Sequence, residues 1–437
     1  MRTTKTMTRG ITLSAAVLSI GLTLGACGST MDEGAESGST GEETAMESPS
    51  AEDTEGSGML MPESTGDPFA DAMTAASHMP MTAETMAQGF TAAADIEGDP
   101  GSDASALRST LTSQLQEHVY MAGIVVATAY STDPESEETK MAMDALDMNS
   151  EALAGTIESA SDKETADQFL ELWRTHIGYF VDYAVAEKGG DEDAAQKALD
   201  DLEQYTMDGG EFFDELTGGE LPAADISESL MGHVESLTKA IDSMAAGEAS
   251  AYSDLRDAAS HVGMGAETIA AGVATATDMS GDPMDDAATL RANLTFDLQE
   301  HVYLAGVAVF TAYTTEGGTD SEAFTAAADA LDENTVALGE KIGEVAGDEQ
   351  EEAFLGLWRE HIGFFVDYAN AKATDDTEAA EQALMDLDGY RPQAGDFFEE
   401  ISGGELPSAD VAEGLGMHVE TLAGTIDSLA GALVTQE

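Results

Sequence analysis

Residues 115–130 read LQEHVYMAGIVVATAY and residues 298–313 read LQEHVYLAGVAVFTAY, identical at 12 of 16 positions. A chain that carries one unit twice must build two copies of one structure, which narrows the fold more than any composition figure. The copying is extensive. LWRTHIGYFVDYA at 172–184 returns as LWREHIGFFVDYA at 357–369, GGELP at 218–222 returns at 403–407, and HVE at 233–235 returns at 418–420. ASHM at 76–79, followed by AET, matches ASHV at 259–262, again followed by AET. The units therefore span 68–248 and 249–437.

Within a unit the apolar period is helical. Leu111, Leu115, Ala122 and Val125 share a stripe with His118, and Phe169, Leu172, Trp173, Phe180 and Tyr183 share one with His176. No segment alternates as a strand does. Glycine and proline place breaks at 132–134, 189–190, 209–210 and 218–222. The expectation is an all-α protein of two tandem homologous antiparallel bundles, each with five or six helices of which four are long. Whether the bundles exchange their first helices near Gly247 is left open by the sequence.

The N-terminus has a different character. Arg2, Lys5 and Arg9 precede an apolar run at 11–24 and then Leu24-Gly25-Ala26-Cys27, the layout of an export signal at 1–26 ending in a lipoprotein box. Cys27, the single cysteine, is the expected lipidation site, anchoring the protein to the membrane on its extracytoplasmic side. Residues 27–67, rich in Gly, Ser, Thr, Glu and Asp, are expected to form a disordered acidic linker. With 16 Lys and Arg against 86 Asp and Glu, the formal charge is −70, which excludes nucleic-acid binding and resembles halophilic adaptation. Beyond the membrane, an envelope protein partner of unknown identity is the remaining expectation.

The eight histidines are His78, His118, His176 and His233 in the first unit and His261, His301, His361 and His418 in the second. Each has its counterpart, and each has apolar or small neighbours three and four residues away. Four imidazoles on four helices, all turned inward, form a candidate metal centre in each unit, because burial favours the neutral, ligating form. Copper or another transition metal is the expected cofactor. A satisfied core histidine is the competing reading for each of them. Glu117 and Glu300, each next to a histidine, and Tyr183 and Tyr368, seven residues after one, are expected to support the ligands from behind. Arg174 reads as a salt-bridge hub, and Asp147 and Asn149 read equally as a cap or as part of a site. Methionines 79, 81 and 86 around His78 form a weaker copper box, since methionine at helical spacing is more often core filler.

The strings EHVY, LD-x-N, LWR-x-HIGFFVDYA, HVETL and ASH followed by AETI resemble a family of exported helical-repeat proteins of Gram-positive and related bacteria. Its members often carry the name copper amine oxidase. The resemblance covers nearly all of 68–437. The enzyme of that name builds a quinone from an Asn-Tyr-Asp/Glu motif and holds copper with His-x-His. This chain has no Asn-Tyr pair, no His-x-His and no β pattern, so amine oxidation is not expected of it. Glu-x-x-His pairs for a di-iron centre and Cys-x-x-Cys-His for haem are absent as well. Three readings stand: a non-catalytic metal-binding lipoprotein, a structural or interaction module of the cell envelope without metal, and a metal-dependent oxidoreductase.

Overall fold

A computed structural model describes residues 60–434. The export signal, Cys27 and the linker to residue 59 lie outside them. The described residues are all-helical. In the first unit α1 (Pro68–Ser77) and α2 (Met79–Ala94) precede α3 (Asp103–Ser131), α4 (Glu137–Ala160), α5 (Lys163–Gly189), α6 (Glu192–Thr217) and α7 (Ala223–Ala246). In the second, α8 (Ala251–Ala276) precedes α9 (Asp286–Thr314), α10 (Glu322–Ala346), α11 (Asp348–Ala373), α12 (Thr377–Ile401) and α13 (Ser408–Leu433). None of the described helices is long and apolar enough to cross a membrane.

Local chemistry sets the ends. Ser136, Asp162, Asp191, Ser321 and Asp376 cap α4, α5, α6, α10 and α12 by accepting backbone N–H bonds, so part of the acid excess neutralises helix dipoles. The break expected at 209–210 does not occur, and α6 runs through both glycines. They serve close packing instead: a Cβ at Gly210 would lie 2.3 Å from the Ala223 carbonyl oxygen, so their smallness lets α7 approach α6. One break is unique to the first unit. Where α8 continues through Val262-Gly263, the first unit has Met79-Pro80, and a proline cannot donate to the carbonyl four residues back. That separates α1 from α2 at His78.

The first helices are exchanged. α8, from the second copy, packs against α3 and α7, while α2 packs against α9 and α1 against α13. The turn at Gly247, with φ of +68°, is short enough to return α8 antiparallel to α7. Scarce cations clamp the exchange symmetrically. Arg108 on α3 binds Glu267 on α8 at 2.5 Å and donates to the Pro283 carbonyl, and its counterpart Arg291 on α9 binds Glu84 on α2 at 2.8 Å and donates to the Pro100 carbonyl. Asp254 on α8 accepts from Ser243 on α7 just as Asp71 on α1 accepts from Ser428 on α13.

The linker expectation is corrected at its end. Residues 60–67 lie along α13, with Glu63 N–H donating to the Glu420 carbonyl at 2.9 Å and Leu60 buried. Gly424 permits this, since a Cβ there would sit 1.7 Å from the Glu63 carbonyl oxygen.

Candidate metal centres

Three histidines in each bundle converge. His118 on α3, His176 on α5 and His233 on α7 place one ring nitrogen each within 4.8 Å of one another, and His301, His361 and His418 on α9, α11 and α13 do the same. All six are buried. The helical period turns them inward, and the packing of the three helices in each bundle brings them to one depth, which periodicity alone cannot guarantee. The Nε2 atoms of His118 and His176 are 3.4 Å apart, and those of His301 and His361 are 3.3 Å apart. Each pair forms a long hydrogen bond in which one imidazole donates and the other accepts, the tautomer setting which. Both ring nitrogens of His233 lack a partner among the described residues, as do Nδ1 of His118, His301 and His418. An unpaired buried polar group costs about 1–3 kcal/mol.

Burial also decides the charge. Desolvation pushes His118 and His301 down to about 3, and His233 and His418 to about 4. His176 and His361 are held well below their ordinary value, again chiefly by burial. Near neutral pH the six are uncharged imidazoles, the form that ligates metal.

The surroundings differ from expectation. Glu117 accepts from Tyr303 at 2.6 Å and Asn149 at 2.9 Å, and Glu300 accepts from Tyr120, Arg256 and Asn334, each at 3.0 Å. Both glutamates therefore belong to the α3–α9 interface instead of backing the histidines. Adjacent residues on a helix point about 100° apart, and here that angle carries the carboxylate to the other bundle. Tyr183 donates to Asp242 at 2.8 Å and Tyr368 to Asp427 at 2.7 Å, so neither supports an imidazole. The residues that do enclose the triads are Trp173 and Tyr205, with Trp358 and Tyr390 in the second bundle. Tyr205 stacks on His176 with centroids 4.4 Å apart, and Trp173 lies 4.7 Å from His118. Trp173 is visible on the His176 stripe; Tyr205 is not, because no local spacing links α6 to α5.

His78 and His261 stand outside the triads, and each serves the bundle of the other copy. His78, at the break between α1 and α2, lies near enough to His418 to depress its protonation, and His261 on α8 does so to His233. His261 Nε2 lies 2.8 Å from the Ser229 carbonyl oxygen, an approach that Gly232 allows, since a Cβ there would be 2.6 Å from the ring. It lines a cavity of about 60 Å³ together with His118 and His233, and also faces an open depression bounded by Asp225, Glu228 and Glu235. The first triad thus has a histidine between itself and an acidic surface. Of the methionines near His78, Met79 and Met86 are core residues and Met81 is exposed.

Arg174 is the expected hub, holding Asp147 through two bonds of 2.5 and 2.6 Å and Glu151 at 3.0 Å, and Arg359 repeats the pair with Asp332. Asn149 donates to the Gln114 carbonyl across to α3, so the Asp-x-Asn segment is an interhelical clamp.

The two buried triads could each hold a metal ion. No protein-family model, no curated protein and no solved structure matches the chain.

Proposed function

We propose that each bundle binds one transition-metal ion through its histidine triad, copper first, as a binding or buffering function of a lipid-anchored extracytoplasmic protein. The observation that carries this reading is the convergence of three buried, neutral imidazoles in each bundle, with their nitrogens within 4.8 Å. Two nitrogens bound tetrahedrally to one ion at about 2.0–2.1 Å are about 3.3–3.4 Å apart. The two Nε2 pairs already have that separation, at 3.4 and 3.3 Å. The third imidazole nitrogen, within 4.8 Å of the other two, has about 2 Å or less to travel to reach the same geometry. Imidazole suits copper, zinc, iron and nickel, and among divalent ions copper binds such donors most tightly. A metal bond would also satisfy one of the two His233 nitrogens that find no partner among the described residues.

The aromatic enclosure supports the alternative, a metal-free packing centre in an envelope interaction module, because Tyr205 and Trp173 pack the imidazoles as closely as core rings. An oxidoreductase would use the position that three ligands leave open, and the small cavity lined by His118 and His233 would give a substrate access to it in the first bundle. X-ray absorption at the copper edge separates metal binding from packing. With two equivalents of copper in molar salt, three imidazole nitrogens at about 2.0 Å are expected. A shell of oxygens alone would place the ion on surface carboxylates and overturn the proposal.

A further inference from the structure

Between the two bundles, away from both triads, is a cavity of about 570 Å³ that the histidine chemistry does not use. Its volume falls in the range of small-molecule sites. Its walls come chiefly from α1, α3, α8 and α9, with α13 closing one side, and include Ile124, Val307, Phe310 and Leu429.

The two copies differ at several positions along the cavity, and one of these differences leaves part of it open. On α3, Gly123 is filled by Leu255 of α8, whose methyl carbons would lie 2.7–2.8 Å from a Cβ there. The counterpart of Gly123 is Gly306 on α9, and the counterpart of Leu255 is Ala72 on α1. A Cβ at Gly306 meets nothing within 4 Å. One half is plugged and the other is open. An alanine in place of a leucine leaves space that the neighbouring helices have not collapsed to fill.

The lining also states what chemistry would enter. It contains no Lys or Arg, and Glu248 and Glu322, both exposed, stand among its residues. Inside, the Thr311 hydroxyl donates to the Val307 carbonyl at 2.8 Å, and the Tyr252 hydroxyl lies 3.2 Å from Thr311, longer than the usual hydroxyl bond, so the tyrosine is the group that can turn to a ligand's polar end. We propose that this cavity binds an apolar molecule whose polar end is neutral or cationic. The inference is independent of metal binding.

The test is a fluorescence titration of the full-length protein with the neutral dye Nile red in molar salt, which screens the general acidity. Wild type takes up the dye saturably at one site per chain. Ala72→Leu, which restores the plug, and Gly306→Leu, which fills the same space from α9, each weaken uptake by about tenfold or more while the helical circular dichroism is unchanged. Two variants from different helices keep the test valid if one misfolds. Dodecyltrimethylammonium below its micellar concentration displaces the dye and dodecyl sulfate does not. Unsaturable uptake by wild type, or equal uptake by the folded variants, overturns the site. Equal displacement by the sulfate overturns the head-group preference.

Discussion

At the scale of residues, each triad imidazole is a base kept from its proton. Folded, His233 and His418 stay neutral down to about pH 4, whereas in the unfolded chain they protonate near 6.5. Between those values the unfolded chain binds more protons, so the histidine contribution to stability is complete above pH 6.5 and is lost as pH falls toward 4. Glu117, Glu300 and Asp297, whose carboxyls burial raises, act in the opposite sense, so the effect is read as a difference. Chemical unfolding of the metal-free protein across this window should show a shallower pH slope in a His233→Gln, His418→Gln variant. The change should be up to about 1.4 kcal/mol per pH unit for each histidine removed. An unchanged slope would mean the imidazoles are not held neutral. The inward facing of these residues is legible in the sequence, because a stripe of period 3.6 needs only neighbours three and four positions away. Partner identity is not: Glu117 reaches Tyr303, which lies 186 positions along the chain, and local spacing has no access to such a pairing.

At the scale of elements, the exchange is the feature that local patterning leaves undecided. α1 with α2 and α8 are copies, so either could close either bundle, and the choice rests on details outside the repeat motif. The short Gly247 turn favours α8 against α7, and Pro80 breaks the other copy. Arg256 on α8 neutralises the buried Glu300 at 3.0 Å, where the equivalent position on α1 is Met73. A fragment of residues 103–276, which keeps α3 to α8 together, should therefore unfold cooperatively as a monomer. It should melt higher than a fragment of residues 68–248, which follows the repeat boundary, as followed by circular dichroism and light scattering. A repeat-boundary fragment that is monomeric and equally stable would contradict the exchange. The helices themselves are legible wherever a proline, a capping acid or a left-handed glycine closes them. Gly209 and Gly210 mislead because a glycine pair reads as a break in isolation, whereas close approach of α7 uses the same residues inside a continuous helix.

At the scale of the molecule, two bundles joined along α3 and α9 carry two similar centres. The joint is polar and reciprocal: Gln116 donates to the Phe296 carbonyl and Gln299 to the Ser113 carbonyl, around stacked Tyr120 and Tyr303 rings 5.4 Å apart. Outside it is a surface whose charge makes every cation a weak ligand, which is why metal binding must be measured in molar salt, where exposed carboxylates are screened and a buried triad is not. The duplication makes the pairing of the centres legible in the sequence itself, since each histidine has its copy. The departure of His78 and His261 from the triads is hidden there, because it depends on which helix crosses to which bundle. The most direct measurement is a calorimetric copper titration in molar salt, with elemental analysis, of the protein beside a His118→Ala, His176→Ala, His301→Ala, His361→Ala variant. Two tightly held ions per chain, both absent from the variant, are the expected result; no tight ion, or the same uptake by both proteins, would contradict it.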